Sequence, residues 1–209
     1  MKKNIEKNNL PLHISLLSSK IKVIIIGGGT AAYIKSKAFI MKGCQVCVLS
    51  KKFIDSFDNI KKYLNVSFIK EEYNIRYILD KHIVVIATDD NKVNSTIRQH
   101  CREFCKIYVD AVDFKEGNCI LPCNRSTENM SIAVNIRGVS PITSVFIADK
   151  LISYIKKYDD FVEFSSNMRN SISKIEYRKN IMNFISTDDF YFFYKKGKAP
   201  IVIEMFYNK

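Results

Sequence analysis

The sequence lacks the features of membrane-spanning and secreted proteins. No stretch of its 209 residues approaches the run of about 18 apolar residues that a membrane-spanning helix needs. Residues 1–7 carry charges but are not followed by the apolar region of a secretion signal. A hydrophobic content of 47% also argues against a disordered tail, because the chain can bury a full core. We therefore expect a cytoplasmic globular protein with no membrane partner.

The sequence also lacks the cysteine and histidine spacing of a zinc site. Cys44 and Cys47 form a Cys-x-x-Cys motif, but neither a second such motif nor a histidine pair follows it. The six cysteines are Cys44, Cys47, Cys101, Cys105, Cys119 and Cys123. In a cytoplasmic protein they are expected to stay reduced, and no metal is predicted.

Acidic residues are scarce relative to basic ones. The chain has 33 Lys and Arg against 21 Asp and Glu, a net charge of +12, and residues 151–209 account for only +3 of it. Such an excess favours an acidic partner: nucleic acid, a phosphate-bearing cofactor or a polycarboxylate. No helix-turn-helix pattern and no basic run with interleaved stacking residues is present, so nucleic acid is not expected.

The most informative motif is a glycine turn after an uncharged β-branched run at residues 23–26. Gly27, Gly29 and Ala32 occupy the small positions of a G-x-G-x-x-G/A pattern, which serve the tight turn, the approach of a pyrophosphate and close helix packing. Thr30 and Ala31 then open a helix whose free N–H groups favour a diphosphate. The motif predicts a dinucleotide site, and a glycine turn without a ligand is the alternative.

Strand and helix patterns alternate through the first half of the chain. The predicted strands are residues 23–26, 45–49, 66–69, 82–87 and 107–110, and the predicted helical segments are residues 30–42, 53–64, 75–79 and 93–104. Gly43 is predicted to stop the first helix. This alternation predicts an α/β fold, a Rossmann-like doubly wound parallel sheet.

The second half changes character. Residues 119–121 and 130–134 are short apolar runs that predict an antiparallel extension or hairpin, and a helical pattern begins at Pro141. A second helix is predicted over residues 161–185, and residues 200–206 are compatible with a strand. Of the 25 Phe and Tyr residues, 13 lie in residues 151–209, which favours a core or a dimer interface over a cofactor-binding motif.

The motifs line up in order with one family. Leu10-Pro11-Leu12, the glycine turn, Lys35, Ala87-Thr88-Asp89-Asp90-Asn91 with Val93-Asn94, Val109-Asp110-Ala111-Val112-Asp113, Leu121-Pro122 and Ser140-Pro141 carry the resemblance. Over about residues 10–155 the sequence resembles the precorrin-2 dehydrogenases of sirohaem synthesis, including the N-terminal module of sirohaem synthase. Without the resemblance, Asp89 and Asp90 would be a helix N-cap and its neighbour, and Asp113 a loop residue capping a turn.

The resemblance implies an NAD-dependent oxidation of precorrin-2 to sirohydrochlorin in sirohaem or cobalamin synthesis, by a homodimer. Asp113 matches the aspartate that the family needs for catalysis, as a general base or an anchor for the pyrrole N–H groups. The expected cofactor-binding residues are Gly27, Gly29, Thr30, Ala31, Ser50, Lys51, Lys52, Ala87, Thr88 and Asp89. The expected substrate-binding residues are Asp110, Asn135, Arg137 and Ser140. The implied domains are a NAD-binding domain at 1–114, a dimerisation segment at 115–140 and a helical domain at 141–209.

Two departures from the family pattern qualify these expectations. Ile136 stands where some relatives have a serine that contacts metal or substrate, which argues against chelatase activity, and Arg137 is a candidate for binding a substrate carboxylate. Ser50-Lys51-Lys52 stands where many dinucleotide enzymes have an acid for the ribose, and basic residues there would suit a 2′-phosphate. Because the family uses NAD, we expect NAD, with the backbone of Lys51 and Lys52 at the ribose.

Two other functions stay open at this point. One is an enzyme that inserts Fe²⁺ or Co²⁺ into sirohydrochlorin, either as a chelatase only or as a bifunctional dehydrogenase and chelatase, with Asp113 and His82 or His100 as the groups that serve it. The other is a non-catalytic protein that senses NAD.

Overall fold

The computed structural model describes residues 11–136, 140–173 and 175–207. The chain divides into two compact units, with the boundary between Leu121 and Pro122. Within the described ranges, no helix combines the length and the apolar character needed to span a membrane.

The first unit is built on a parallel sheet. The strands found in its described residues are β1 (Lys22–Ile26), β2 (Gln45–Leu49), β3 (Val66–Ile69), β4 (Ile83–Ile86) and β5 (Ile107–Asp110). They lie in the order β3-β2-β1-β4-β5, and every neighbouring pair is parallel. The predicted doubly wound sheet is therefore confirmed, and the change of strand order between β1 and β4 is the point where such sheets bind ligands.

Both faces of the sheet are buried because alternate side chains of each strand point to opposite sides. Val23 and Ile25 enter one core with Ala32 and Phe39 of α1 (Thr30–Met41). The residues between them on β1, Ile24 and Ile26, enter a second core with α2 (Arg76–Leu79) and α3 (Asn91–Glu103). This arrangement explains why residues 23–26 of β1 and 83–86 of β4 are uncharged and β-branched.

Two local predictions in this unit have different outcomes. Gly43 ends α1 in a left-handed conformation (φ +85°), as predicted. The helix predicted over residues 53–64 is instead a 3-10 helix over Asp55–Ile60, and a second 3-10 helix covers Ser18–Lys20. Phe57 is buried and packs edge-on against Phe53 and Phe68, so ring packing rather than a helical repeat sets this segment.

The second unit opens with an antiparallel hairpin of β6 (Cys123–Ser126) and β7 (Ser131–Val134). A hairpin was expected here, but its first strand is not residues 119–121. That segment stays with the first unit: the N–H of Cys119 donates to the carbonyl of Tyr108, and Cys119 and Leu121 pack on the first core. The apolar run is thus explained by burial rather than by strand pairing.

The other regular elements in the described part of the second unit are helices. They are α4 (Pro141–Ile155), a 3-10 helix (Lys156–Tyr158), α5 (Asp159–Ser171), α6 (Ile175–Ile185), α7 (Asp188–Lys195) and α8 (Ala199–Tyr207). The prediction of one helix over residues 161–185 is wrong, because the Arg178 guanidinium donates to the Ile172 carbonyl and closes the end of α5. The suggested strand at 200–206 is also wrong: Ala199 and Val202 are buried at helical spacing beside Ile185 and Phe190.

Candidate functional site

The glycine turn after β1 is pressed between the loops that follow β2 and β4. Gly27 has a φ of +137°, and a Cβ there would collide with the carbonyl oxygen of Ala87. A Cβ on Gly28 would collide with the carbonyl oxygen of Lys52. Two main-chain hydrogen bonds fix this packing, from Gly27 N–H to the Leu49 carbonyl (2.9 Å) and from Ile54 N–H to the Gly28 carbonyl (3.0 Å). Neither glycine can carry a side chain without moving backbone.

The next residues form an open surface. A Cβ on Gly29 would meet nothing within 4 Å, and Gly29, Thr30 and Ala31 are exposed. Gly29 is the N-cap of α1 and brings no capping side chain. The N–H groups of the first helical turn therefore face solvent with their positive dipole end, which suits a diphosphate. Ala32 is fully buried, as the close packing of this helix on the sheet requires.

The loop after β2 carries the predicted Ser50-Lys51-Lys52 segment. The Ser50 hydroxyl donates to the carbonyl of Lys52 (2.8 Å), so this side chain shapes the loop against Gly28. The Lys51 ammonium donates to Glu72, which follows β3, at 2.7 Å. That hydrogen bond raises the pKa of the Lys51 ammonium.

The loop after β4 explains the Ala-Thr-Asp-Asp-x-x-Val-Asn block. The Thr88 hydroxyl donates to the buried side chain of Asn94 (2.8 Å), whose amide donates back to the Thr88 carbonyl (3.0 Å). Asp90 is the N-cap of α3 and accepts from the N–H groups of Lys92 and Val93. Asp89, in the same loop, is exposed, and the carbonyl of Ala87 lies against Gly27.

The loop after β5 is organised by a buried carboxylate. The Asp110 side chain has no exposed surface, and its Oδ1 accepts from the N–H groups of Val112 (2.9 Å) and Asp113 (2.8 Å). Its Oδ2 accepts from Arg98 Nε on α3 at 2.7 Å. This bond raises the pKa of the Arg98 guanidinium, which therefore keeps its charge. A buried carboxylate needs such partners, because an unpaired one would be costly.

Asp113 lies on the turn that Asp110 holds. Its own N–H is bound, its Oδ1 accepts a 3.1 Å bond from the N–H of Lys115, and the residue is exposed. The backbone of Asp113 is thus fixed while its carboxylate faces solvent. The structure gives the two aspartates of Val-Asp-Ala-Val-Asp different positions, one buried and paired and one exposed.

The remaining predicted substrate residues belong to the second unit. Asn135 follows β7 and is half-buried. Ser140 is the N-cap of α4, and its hydroxyl accepts from the N–H of Thr143 (3.4 Å). Arg137 lies outside the described residues. The structure therefore groups the predicted cofactor residues, Asp110 and Asp113 along the carboxyl edge of one sheet, whereas Asn135 and Ser140 lie in the second unit.

The two histidines considered for a chelatase have other partners. His82 Nδ1 accepts from the backbone N–H of Lys22 (2.9 Å). His100 stacks on Tyr73 and shares a 3.0 Å hydrogen bond with its hydroxyl. In the part of the chain that the structure describes, no three His, Cys, Asp or Glu side chains are grouped to hold a metal ion.

The structure adds residues that sequence reasoning did not list as part of the site. The motif does not include Gly28, because only the first and third glycines fit it, although three consecutive glycines are themselves a signal. Asn94 is the last residue of the Ala-Thr-Asp-Asp-x-x-Val-Asn block, but the motif by itself predicts no role for it. Arg98 lies four residues later, one helical turn along α3, which was a usable signal. No sequence signal pointed to Glu72, because it reaches the site from the end of another strand, β3.

Curated proteins of known function match most of the chain. It is 24% identical over 159 residues to the precorrin-2 dehydrogenase of Priestia megaterium, covering 76% of this chain and 78% of that one. It is 29% identical over 146 residues to the precorrin-2 dehydrogenase of Bacillus subtilis, covering 68% and 88%. It is 24% identical to the siroheme synthase of Buchnera aphidicola over 88% of this chain, but spans only 38% of that protein.

A solved structure and a family model agree with these matches. The structure of SirC, precorrin-2 dehydrogenase, superposes with a TM-score of 0.67 at 20% identity, covering 85% of this chain and 90% of that one, which shows the same fold. The family model described as "Putative NAD(P)-binding" matches residues 14–123, more than half of the chain. The chain therefore belongs to this NAD(P)-binding family, and the resemblance to the precorrin-2 dehydrogenases is confirmed.

Proposed function

We propose that this protein is an NAD-dependent precorrin-2 dehydrogenase that oxidises precorrin-2 to sirohydrochlorin. The observation that carries the proposal is the shared sheet edge: the glycine turn follows β1, and the braced, exposed Asp113 follows β5. The loop between them in space, after β4, is locked by Thr88 and Asn94. A cofactor site and an exposed carboxylate along one edge of the same sheet suit hydride and proton removal from one substrate.

The residues fit NAD. Gly27 and Gly28 hold the turn tightly, while Gly29 leaves open space where a pyrophosphate approaches the start of α1. When bound, NAD⁺ is the hydride acceptor. We propose Thr30 and Ala31 as backbone donors to it, with Ser50, Lys51 and Lys52 at one end and Ala87, Thr88 and Asp89 at the other.

We propose Asp113 as the group that accepts a proton from the macrocycle or holds its pyrrole N–H groups. Its exposed carboxylate can reach a substrate, and its bound N–H fixes the backbone that carries the side chain. Asp110 is then a positioning residue, because both of its oxygens are bound within the protein. Asn135, Arg137 and Ser140 remain proposed substrate contacts, and the net charge of +12 suits a polycarboxylate.

We further propose a cytoplasmic homodimer. The helix α4 exposes a series of large apolar side chains: Ile142, Val145, Phe146, Leu151 and Tyr154. So many exposed apolar side chains on one helix are more typical of an interface than of a monomer. Light scattering is expected to give a dimer mass at micromolar concentration, and Phe146→Glu is expected to shift it toward the monomer. The matched substitution Ile201→Glu, at another exposed apolar residue of the same unit, should leave the dimer intact.

The direct test of the function is an absorbance assay with the purified chain. Precorrin-2 and NAD⁺ together should give sirohydrochlorin and NADH, and omitting either should give neither product. A protein that instead converts sirohydrochlorin with Fe²⁺ or Co²⁺, and forms no NADH, would be a chelatase. Binding of NAD⁺ without either conversion would leave the sensor interpretation.

The cofactor site can be tested at Gly29, because a side chain there has room within the protein. Gly29→Val places a side chain where the pyrophosphate approaches, without a clash inside the protein, so NAD⁺ binding should be abolished while the fold is kept. Calorimetry measures the binding, and the circular dichroism melting curve measures the fold. Gly28→Val, which collides with the Lys52 carbonyl, should by contrast lower the melting temperature. Wild-type NAD⁺ affinity in Gly29→Val would place the cofactor elsewhere.

The role of Asp113 is tested by removing its charge. Asp113→Asn should lower kcat for precorrin-2 by about 10² to 10⁴, the usual range for loss of a general base, with little change in NAD⁺ affinity. Glu116→Gln is the matched control, since Glu116 is an acid of the same loop that pairs with Arg102. Near wild-type turnover by Asp113→Asn would make it a structural residue and turn attention to Asp89 and Arg137.

A further inference from the structure

The end of β2 presents a conflict between charge and cofactor. In dinucleotide folds, an Asp or Glu about 20 residues after the glycine turn commonly binds the ribose hydroxyls of NAD, whereas a basic residue there accommodates the 2′-phosphate of NADP. This chain has Ser50-Lys51-Lys52 at that position, with no acid. By itself, the segment favours NADP.

The structure supplies a carboxylate from the neighbouring strand. β2 and β3 pair in parallel and end together, with Leu49 opposite Ile69, and the N–H of Ser50 donates to the Ile69 carbonyl at 3.0 Å. The loops after both strands are therefore side by side. From the second loop, Glu72 reaches the Lys51 ammonium at 2.7 Å, and both side chains are largely exposed (78% and 69%).

We propose that Glu72 supplies the acid that β2 lacks and makes the site select NAD⁺ over NADP⁺. This inference rests on the proposed NAD site. Glu72 acts in two ways: it occupies Lys51, the first cation of the segment, and it places a negative charge where a 2′-phosphate would lie. A phosphate monoester carries about −1.5 to −2 charges near neutral pH, so the repulsion falls on NADP⁺ rather than NAD⁺.

The adjacent acid provides an internal comparison. Glu71 pairs with Arg76 at 2.8 Å. The two glutamates have the same charge and are neighbours in the chain, but only Glu72 pairs with the lysine at the ribose end. A general effect of negative charge would involve both residues, whereas a specific site involves Glu72 alone.

The experiment measures the dissociation constants of NAD⁺ and NADP⁺ by calorimetry, without substrate. Wild type should prefer NAD⁺, and Glu72→Gln should lower the ratio of the NADP⁺ to the NAD⁺ constant by roughly tenfold, equivalent to about 1.4 kcal/mol. Glu71→Gln should change that ratio by less than about twofold. Adding Lys51→Met to Glu72→Gln should remove most of the gain for NADP⁺, because Lys51 is the cation that Glu72 frees.

Each outcome separates this inference from the proposed function. If wild type binds neither dinucleotide, the cofactor site and this inference both fail. If wild type binds NAD⁺ but Glu72→Gln leaves the ratio unchanged, or Glu71→Gln changes it equally, only the role of Glu72 fails. Equal affinity of the wild-type protein for NADP⁺ and NAD⁺ would also overturn the proposed role of Glu72. Circular dichroism spectra matching wild type show that these exposed substitutions have not unfolded the protein.

Discussion

The close packing of two loops against the glycine turn is the constraint on which the rest of the site depends. The loops after β2 and β4 approach the turn so closely that Gly27 and Gly28 have no room for a Cβ. That approach requires β1, β2 and β4 to end in register, and Ile26 indeed pairs with Leu49 on one side and Ile86 on the other. The registers are held in turn by strands buried on both faces. Burial of apolar side chains therefore sets the shape of a polar site.

A second constraint acts at the end of β5, where hydrogen bonds to the Asp110 carboxylate, rather than close packing against glycine, fix the loop. Asp110 is buried, and its position is tolerable because two backbone N–H groups and Arg98 satisfy its oxygens. The same bonds fix the turn that presents Asp113. Arg98 lies on α3. The same helix is capped by Asp90 and carries Asn94, which binds the loop after β4, so α3 connects the loops after β4 and β5. The proposed cofactor and proton-accepting sites thus share one helix.

Local patterns predicted the sheet well and the second unit poorly. β-branched runs and glycine stops identified the strands within a residue or two, because a strand buried on both faces admits few other residues. Residues 119–121 were wrongly predicted to be a strand of the hairpin. An apolar run indicates that a segment is buried but not what it packs against, and here it packs on the first core. The break near Ile172 was hidden because it depends on Arg178, a capping contact from the next helix. Residues 200–206 were considered a strand because of their high apolar content, although Ala199 and Val202 are spaced as on one face of a helix.

The sequence by itself determined the fold class, the glycine turn, the cofactor class and Asp113 as the candidate catalytic group, since these depend on local residue order and on motifs that match one family. Only the tertiary structure separated Asp110 from Asp113, because burial and pairing with Arg98 are properties of packed elements. Only the structure, likewise, brought Glu72 beside Lys51. Parallel strands that are distant in sequence end at the same edge of a sheet, so the charge that a site experiences is set by topology and cannot be read from one segment of the chain.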